Sequence, residues 1–98
     1  MALIFDDKPA GYDDEQGIMK WFGSNDGEYI ECRVAVTALT RYWGAEGISD
    51  AELRRAFTEN RDEIEKIARS KYATGNVETE QDSPIQNRTV IVVDYTGS

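Results

Sequence analysis

The groups in this chain best equipped for chemistry are one thiol, a surplus of carboxylates and a set of arginines; its 98 residues include no histidine. Without imidazole there is no Ser-His-Asp or Cys-His catalysis, no histidine metal site and no side chain whose ordinary pKa lies near neutrality. Cys32 lies in the alternating run Glu28-Tyr-Ile-Glu-Cys-Arg-Val-Ala-Val36, on one face with Ile30, Val34 and Val36. That setting makes it a small core hydrophobe, because free cysteine is among the most buried residue types. A nucleophile would need an electropositive, accessible setting, and Arg33 points to the other face of the strand.

The carboxylates of Asp6-Asp7 and Asp13-Asp14-Glu15 are the type that hold calcium or magnesium. They lack the spacing of an EF-hand loop and read as solvated acidic loop. Glu59, Asp62, Glu63 and Glu65 fall on a helix surface among matching bases, and a glycosidase-like pair would also need a cleft. Gly44-Ala-Glu-Gly47 has no following Gly-Lys-Ser/Thr and follows no strand, so it is no phosphate loop. Trp21, Phe22, Tyr29, Tyr42 and Trp43 are not interleaved with lysine and arginine as in a base-stacking groove, and read as core aromatics. No catalytic, cofactor-binding or metal-ligating residue is assigned, and no cofactor is expected. An enzyme would have to use carboxylates or arginines in a deep pocket that shifts their pKa values.

The net charge of −8 is carried by the flanks: residues 1–27 hold −4, residues 28–72 hold −1 and residues 73–98 hold −3. An acidic chain is a poor generic binder of phosphate backbones, where affinity comes from cations replacing counterions. A nucleic-acid-linked regulator is the alternative reading, either through Arg54, Arg55, Arg61 and Arg69 or by acidic mimicry of nucleic acid. The length suggests a single domain over 1–98, with about two thirds of the unfolded chain's surface buried on folding. Ala2-Leu-Ile-Phe5 is too short for a signal or a membrane span and runs into Asp6-Asp7. With one cysteine and no span, the expectation is a cytoplasmic protein without membrane contact.

These residues must be positioned by a frame running from Glu28 to Tyr72. Period-two alternation makes Glu28–Val36 a half-buried strand. Gly17–Phe22 is a second strand, and the turn residues Gly23-Ser-Asn-Asp-Gly27 between them predict an antiparallel hairpin. Thr37 is the expected cap of a short helix carrying Ala38, Leu39, Tyr42 and Trp43, stopped at Gly44. Ser49-Asp-Ala-Glu52 fits a capping box, with Glu52 reaching back. One long helix follows, with its apolar stripe at Leu53, Ala56, Phe57, Ile64, Ile67, Ala68 and Tyr72, interrupted by Asn60. Arg61–Glu65, Asp62–Lys66 and Glu65–Arg69 stand at i,i+4 on its other face. Leu3–Phe5 is a short edge strand and Asp6–Gln16 a loop. Residues 74–88 read as a long polar surface loop before the C-terminal strand Thr89–Tyr95. That strand's continuous apolarity suggests cover on both faces. The expected fold is α+β: a small, mostly antiparallel sheet of three to four strands, order (β)ββααβ, with one short and one long helix packed on one face.

This arrangement leaves apolar residues on the far side of the sheet. If Met19 and Trp21 face the helices with Ile30 and Cys32, then Ile18, Phe22 and Tyr29 face outward, joined by one alternating pair of the last strand. Exposed apolar patches of several hundred Å² mark contact surfaces. Ile18, Phe22, Tyr29, Val90 and Val92 are therefore the candidate interface, for a homodimer or another protein partner, unless the N-terminal segment folds over them. No small-molecule ligand is indicated.

Trp21-Phe22, Cys32 and Val34, the pair Ala38-Leu39, then Phe57, Ile64 and Ala68 follow a pattern of hairpin, strand, short helix and longer helix. Over residues 3–72 this resembles the bacterial proteins of domain-of-unknown-function family 1488. The resemblance implies a small α+β cytoplasmic protein without an assigned activity, and it supplies no functional residues. Together, the residues favour a small non-catalytic interaction or regulatory module acting through an apolar sheet face.

Overall fold

The computed structural model describes residues 3–6, 10–83 and 86–93. Its elements in chain order are β1 (Ile4–Phe5), β2 (Gly11–Asp13), β3 (Ile18–Asn25), β4 (Glu28–Ala35), α1 (Val36–Tyr42), α2 (Asp50–Glu59), α3 (Arg61–Ala73), β5 (Glu78–Ser83) and β6 (Gln86–Val93). The α+β class holds, but the sheet has six strands rather than three to four. Its order is β1-β3-β4-β6-β5, with β2 also paired to β3. All pairs are antiparallel except β4 with β6.

The hairpin β3–β4 is the centre of the fold. Asn25 stands opposite Glu28, leaving Asp26 (φ 54°) and Gly27 (φ 87°) as a two-residue turn with both φ positive. That is the type I′ geometry whose twist matches the flanking strands. Gly23 belongs to the strand instead of the turn. A Cβ there would stand 2.9 Å from the carbonyl oxygen of Ile4, so β1 pairs at this point because glycine leaves room for it.

The expected long helix is two helices. Asn60 (φ −115°, ψ 14°) ends α2 and starts α3. Its side-chain amide donates to the carbonyls of Trp43 (3.1 Å) and Ala56 (2.9 Å), tying the break to the end of α1. Side-chain competition of this kind is why asparagine is poor in helix interiors. The apolar stripe remains in phase across the break, and Leu53, Ala56, Phe57, Ile64 and Ala68 are all sealed against the sheet. Ser49 caps α2 as expected, accepting from the Glu52 N–H. The Glu52 carboxylate, however, accepts from the Glu46 N–H at 3.0 Å and pairs with Arg55, instead of closing the box. Arg55 holds its pKa down to about 2. α1 begins at Val36, one residue before the expected cap Thr37, and has no side-chain cap.

Two segments expected as loop are strand in part. β2 lies within 6–16, while β5 and the first residues of β6 lie within the predicted polar loop 74–88. Strand propensity is weak in Glu-Thr-Glu-Gln-Asp-Ser, but β5 is an edge strand, where charge is tolerated and discourages further pairing. Asp94 and Tyr95, assigned to the last strand from sequence, lie outside the described residues.

Candidate functional site on the outer sheet face

Register assigns every side chain of the central strands to a face. Met19, Trp21, Ile30, Cys32, Val34, Ile91 and Val93 point into the helix layer and are buried. Lys20 stands opposite Arg33, Phe22 opposite Glu31, and Glu31 opposite Val90, so these residues with Ile18, Tyr29 and Val92 form the outer face. Val90 and Val92, not Ile91 and Val93, are the outward pair of β6.

The outer face is not uniformly apolar. Arg33 donates from Nε to Glu31 and through both terminal nitrogens to Glu80, at 2.6 and 2.9 Å. This bidentate fork raises the guanidinium pKa above its ordinary value, the Glu80 hydrogen bonds first. β6 lies between the strands that carry Arg33 and Glu80, and Arg33 and Glu80 come from the rows on either side of Val90. Their bond therefore crosses Val90, which is fully buried. Val90 thus leaves the predicted interface: an ion pair covers it, not a partner. Val92 and Ile18 are half-buried.

Phe22 and Tyr29 are brought together. Their rings stack at 5.2 Å with 15° between planes, and Tyr29 remains 60% exposed. Beside them is a cleft of about 650 Å³, bordered by Asp6, Gly11, Tyr12, Asp13, Asp14, Glu15, Lys20, Trp21, Phe22 and Tyr29. Register explains why it is there. Phe5 stands opposite Gly23 and Gly11 opposite Lys20, so a step of six positions along the edge answers a step of three along β3. The edge strand therefore breaks beside Phe22, whose carbonyl accepts from the Asp6 N–H at 3.1 Å. Past the break, Asp13 accepts from the N–H groups of Glu15 and Gln16 and lies 3.5 Å from the Lys20 ammonium. The Gln16 N–H and Lys20 hold its carboxyl below the usual range.

The family profile of proteins of unknown function DUF1488 matches residues 3–81 of the chain. The chain belongs to the DUF1488 family. The match runs past the helices into β5, so the acidic segment after α3 is part of the family pattern. A crystal structure of a DUF1488 protein of unknown function from Shewanella loihica PV-4 has the same fold. It superposes with a TM-score of 0.74 at 20% identity, covering 95% of this chain and 92% of the other. No curated protein matches the sequence.

The other candidate groups of this DUF1488 protein are engaged or sealed. Arg54 pairs with Asp50 and donates to the Ala10 carbonyl, and Arg55 is held by Glu52, Glu59 and the Gly44 carbonyl. Arg61 pairs with Glu65, donates to the Asp6 carbonyl and lies 5.4 Å over the Phe57 ring. Arg69 donates to the Leu3 carbonyl and lies 4.9 Å over Phe5, so the expected Glu65–Arg69 pair gives way to contacts with β1. Arg54, Arg61 and Arg69 fasten the N-terminal edge segment to the helices, and Arg55 ties α2 to the α1–α2 connection. Among the described residues, no three carboxylate or cysteine side chains converge as a metal site, and no helix is long and apolar enough to cross a membrane.

Cys32 is fully buried, and its thiol is pushed up to about 12, first by burial and then by Glu65, Glu31 and Asp6. An ordinary cysteine titrates near 8.5, so the native thiolate at pH 8 is scarcer by roughly a thousandfold. Maleimide labelling of the folded protein is expected to be at least that much slower than labelling in denaturant. Comparable rates in the two states would place Cys32 on an accessible surface.

Proposed function

We propose that this chain is a small non-catalytic interaction module, working in the cytoplasm, that receives a protein partner on the outer face of its sheet. The observation that carries the reading is the Phe22–Tyr29 stack, half in water at the mouth of a cleft. Aromatic residues beside a concave surface are what interface anchors are made of. The engaged arginines weigh against direct nucleic-acid contact, and the sealed thiol against nucleophilic chemistry. A distinct partner is favoured over a second copy, because a symmetric dimer would bring the acids of two clefts together.

A photo-crosslinking residue at position 29, with position 48 as control, tests the reading in the source cells. Ile48 is 69% exposed on the α1–α2 connection, so both positions report equally on chance collisions. The expected result is a discrete adduct from position 29 that position 48 does not give. No adduct from position 29, or the same adducts from both positions, would overturn the proposal.

A further inference from the structure

We infer that the cleft binds an arginine side chain presented by the partner polypeptide, an inference that rests on the interaction-module reading. The Phe22–Tyr29 stack lines the cleft, and Asp6, Asp13, Asp14 and Glu15 border it with one cation among the described residues, Lys20. Lys20 is already committed to Asp13, so among the described residues the unbalanced charge lies with the exposed turn acids Asp14 and Glu15. An aromatic face beside carboxylates is complementary to a planar cation, which stacks on the ring while its N–H groups fork to the acids. Arginine fits this better than lysine, whose ammonium is a strongly hydrated point charge. The chain already stacks arginine on an aromatic ring twice, with Arg61 over Phe57 and Arg69 over Phe5, and Arg61 pairs with the Glu65 carboxylate as well.

The shape of the cleft favours a polypeptide over a free amine. A small ligand is normally enclosed over most of its surface. Here the cleft opens onto Tyr29, which is 60% exposed, so a free amine would remain largely in water. A peptide would instead place its arginine in the cleft and continue across the open face.

The test is a titration of the purified protein, followed by backbone amide shifts, with a short peptide carrying one arginine among neutral residues. The same peptide with citrulline in its place, and free arginine amide, are the comparisons. Shifts are expected to concentrate at residues 11–15, Phe22 and Tyr29. The arginine peptide is expected to bind on the order of tenfold more tightly than the citrulline peptide, from stacking plus charge, and to weaken as salt rises. Tyr29→Ala should lose most of that difference while the protein stays folded, its unfolding midpoint lowered only by the lost ring stack. Asp14→Asn with Glu15→Gln, changes on an exposed turn, should lose the salt dependence.

Equal binding of the arginine and citrulline peptides, or shifts confined to another face, would overturn the inference. Binding of arginine amide as tight as that of the peptide would assign the cleft to a free cation and overturn it too. If position 29 still crosslinks in cells while the arginine peptide fails, the interaction module stands and only the arginine assignment falls.

Discussion

Arg33→Met is expected to destabilise the protein by about 3 kcal/mol, the low end of what breaking a buried ion pair costs. Arg33 and Glu31 are 13% and 2% exposed along their side chains, whereas Glu80 is 41% exposed. The loss therefore falls mainly on Glu31, a buried carboxylate deprived of its guanidinium, and on Val90 beneath it. Glu80→Gln leaves the buried pair intact and should cost under about 1 kcal/mol, as surface ion pairs do. The double variant Glu31→Leu with Arg33→Met removes both charges together. It should recover most of the loss, since well-packed apolar residues replace a buried pair at little net cost. Urea unfolding of the three variants gives the comparison through midpoints at constant slope. A double variant as unstable as the single one would mean that Arg33 acts through its packing over Val90 and not by compensating Glu31.

The alternation of β3 and β4 was enough to separate the helix-facing residues from the outer ones. It placed Phe22 and Tyr29 on one face before any register was known. The Asp26-Gly27 turn was equally local and equally legible. What covers Val90 was not, because Arg33 and Glu80 are 47 residues apart and meet only through a parallel pairing that follows three helices. The nearest available signal was Glu31 and Arg33 two apart on one strand face, which puts opposite charges side by side.

The cleft was illegible for a related reason. β1 and β2 are two and three residues long, too short for any periodicity, and the cleft arises from their offset against β3. β5 escaped because its residues are poor strand formers, overridden by pairing with β6. The break at Asn60 was hidden because Phe57 and Ile64 are seven residues apart, about two helical turns. The stripe thus stays in phase whether the helix is continuous or bent. Arginines that looked like surface charges proved to be fasteners, since a pattern of charges along a helix cannot show which backbone carbonyl lies within reach.

Phe57→Ala should be the more damaging core change, costing about 3–5 kcal/mol, a large share of the ~5–15 kcal/mol that holds a domain together. Phe57 is 1% exposed, and its ring packs on Trp21 at 5.0 Å, where the last turn of α2 meets the sheet. Alanine removes that aromatic contact and leaves a void between two layers that cannot close without moving a helix. It also removes the platform beneath Arg61, the residue that donates to the Asp6 carbonyl at 2.8 Å. The damage should therefore spread from the core to the edge of the cleft. Amide exchange at Asp6, whose N–H bonds the Phe22 carbonyl, should accelerate more than exchange in the centre of β4. Phe57→Leu keeps most of the volume and should cost less than about half as much. If Phe57→Ala lowered stability while exchange at Asp6 and in β4 rose by the same factor, the edge would be opening only with the whole domain. Arg61 would then not be what fastens β1 to the helices.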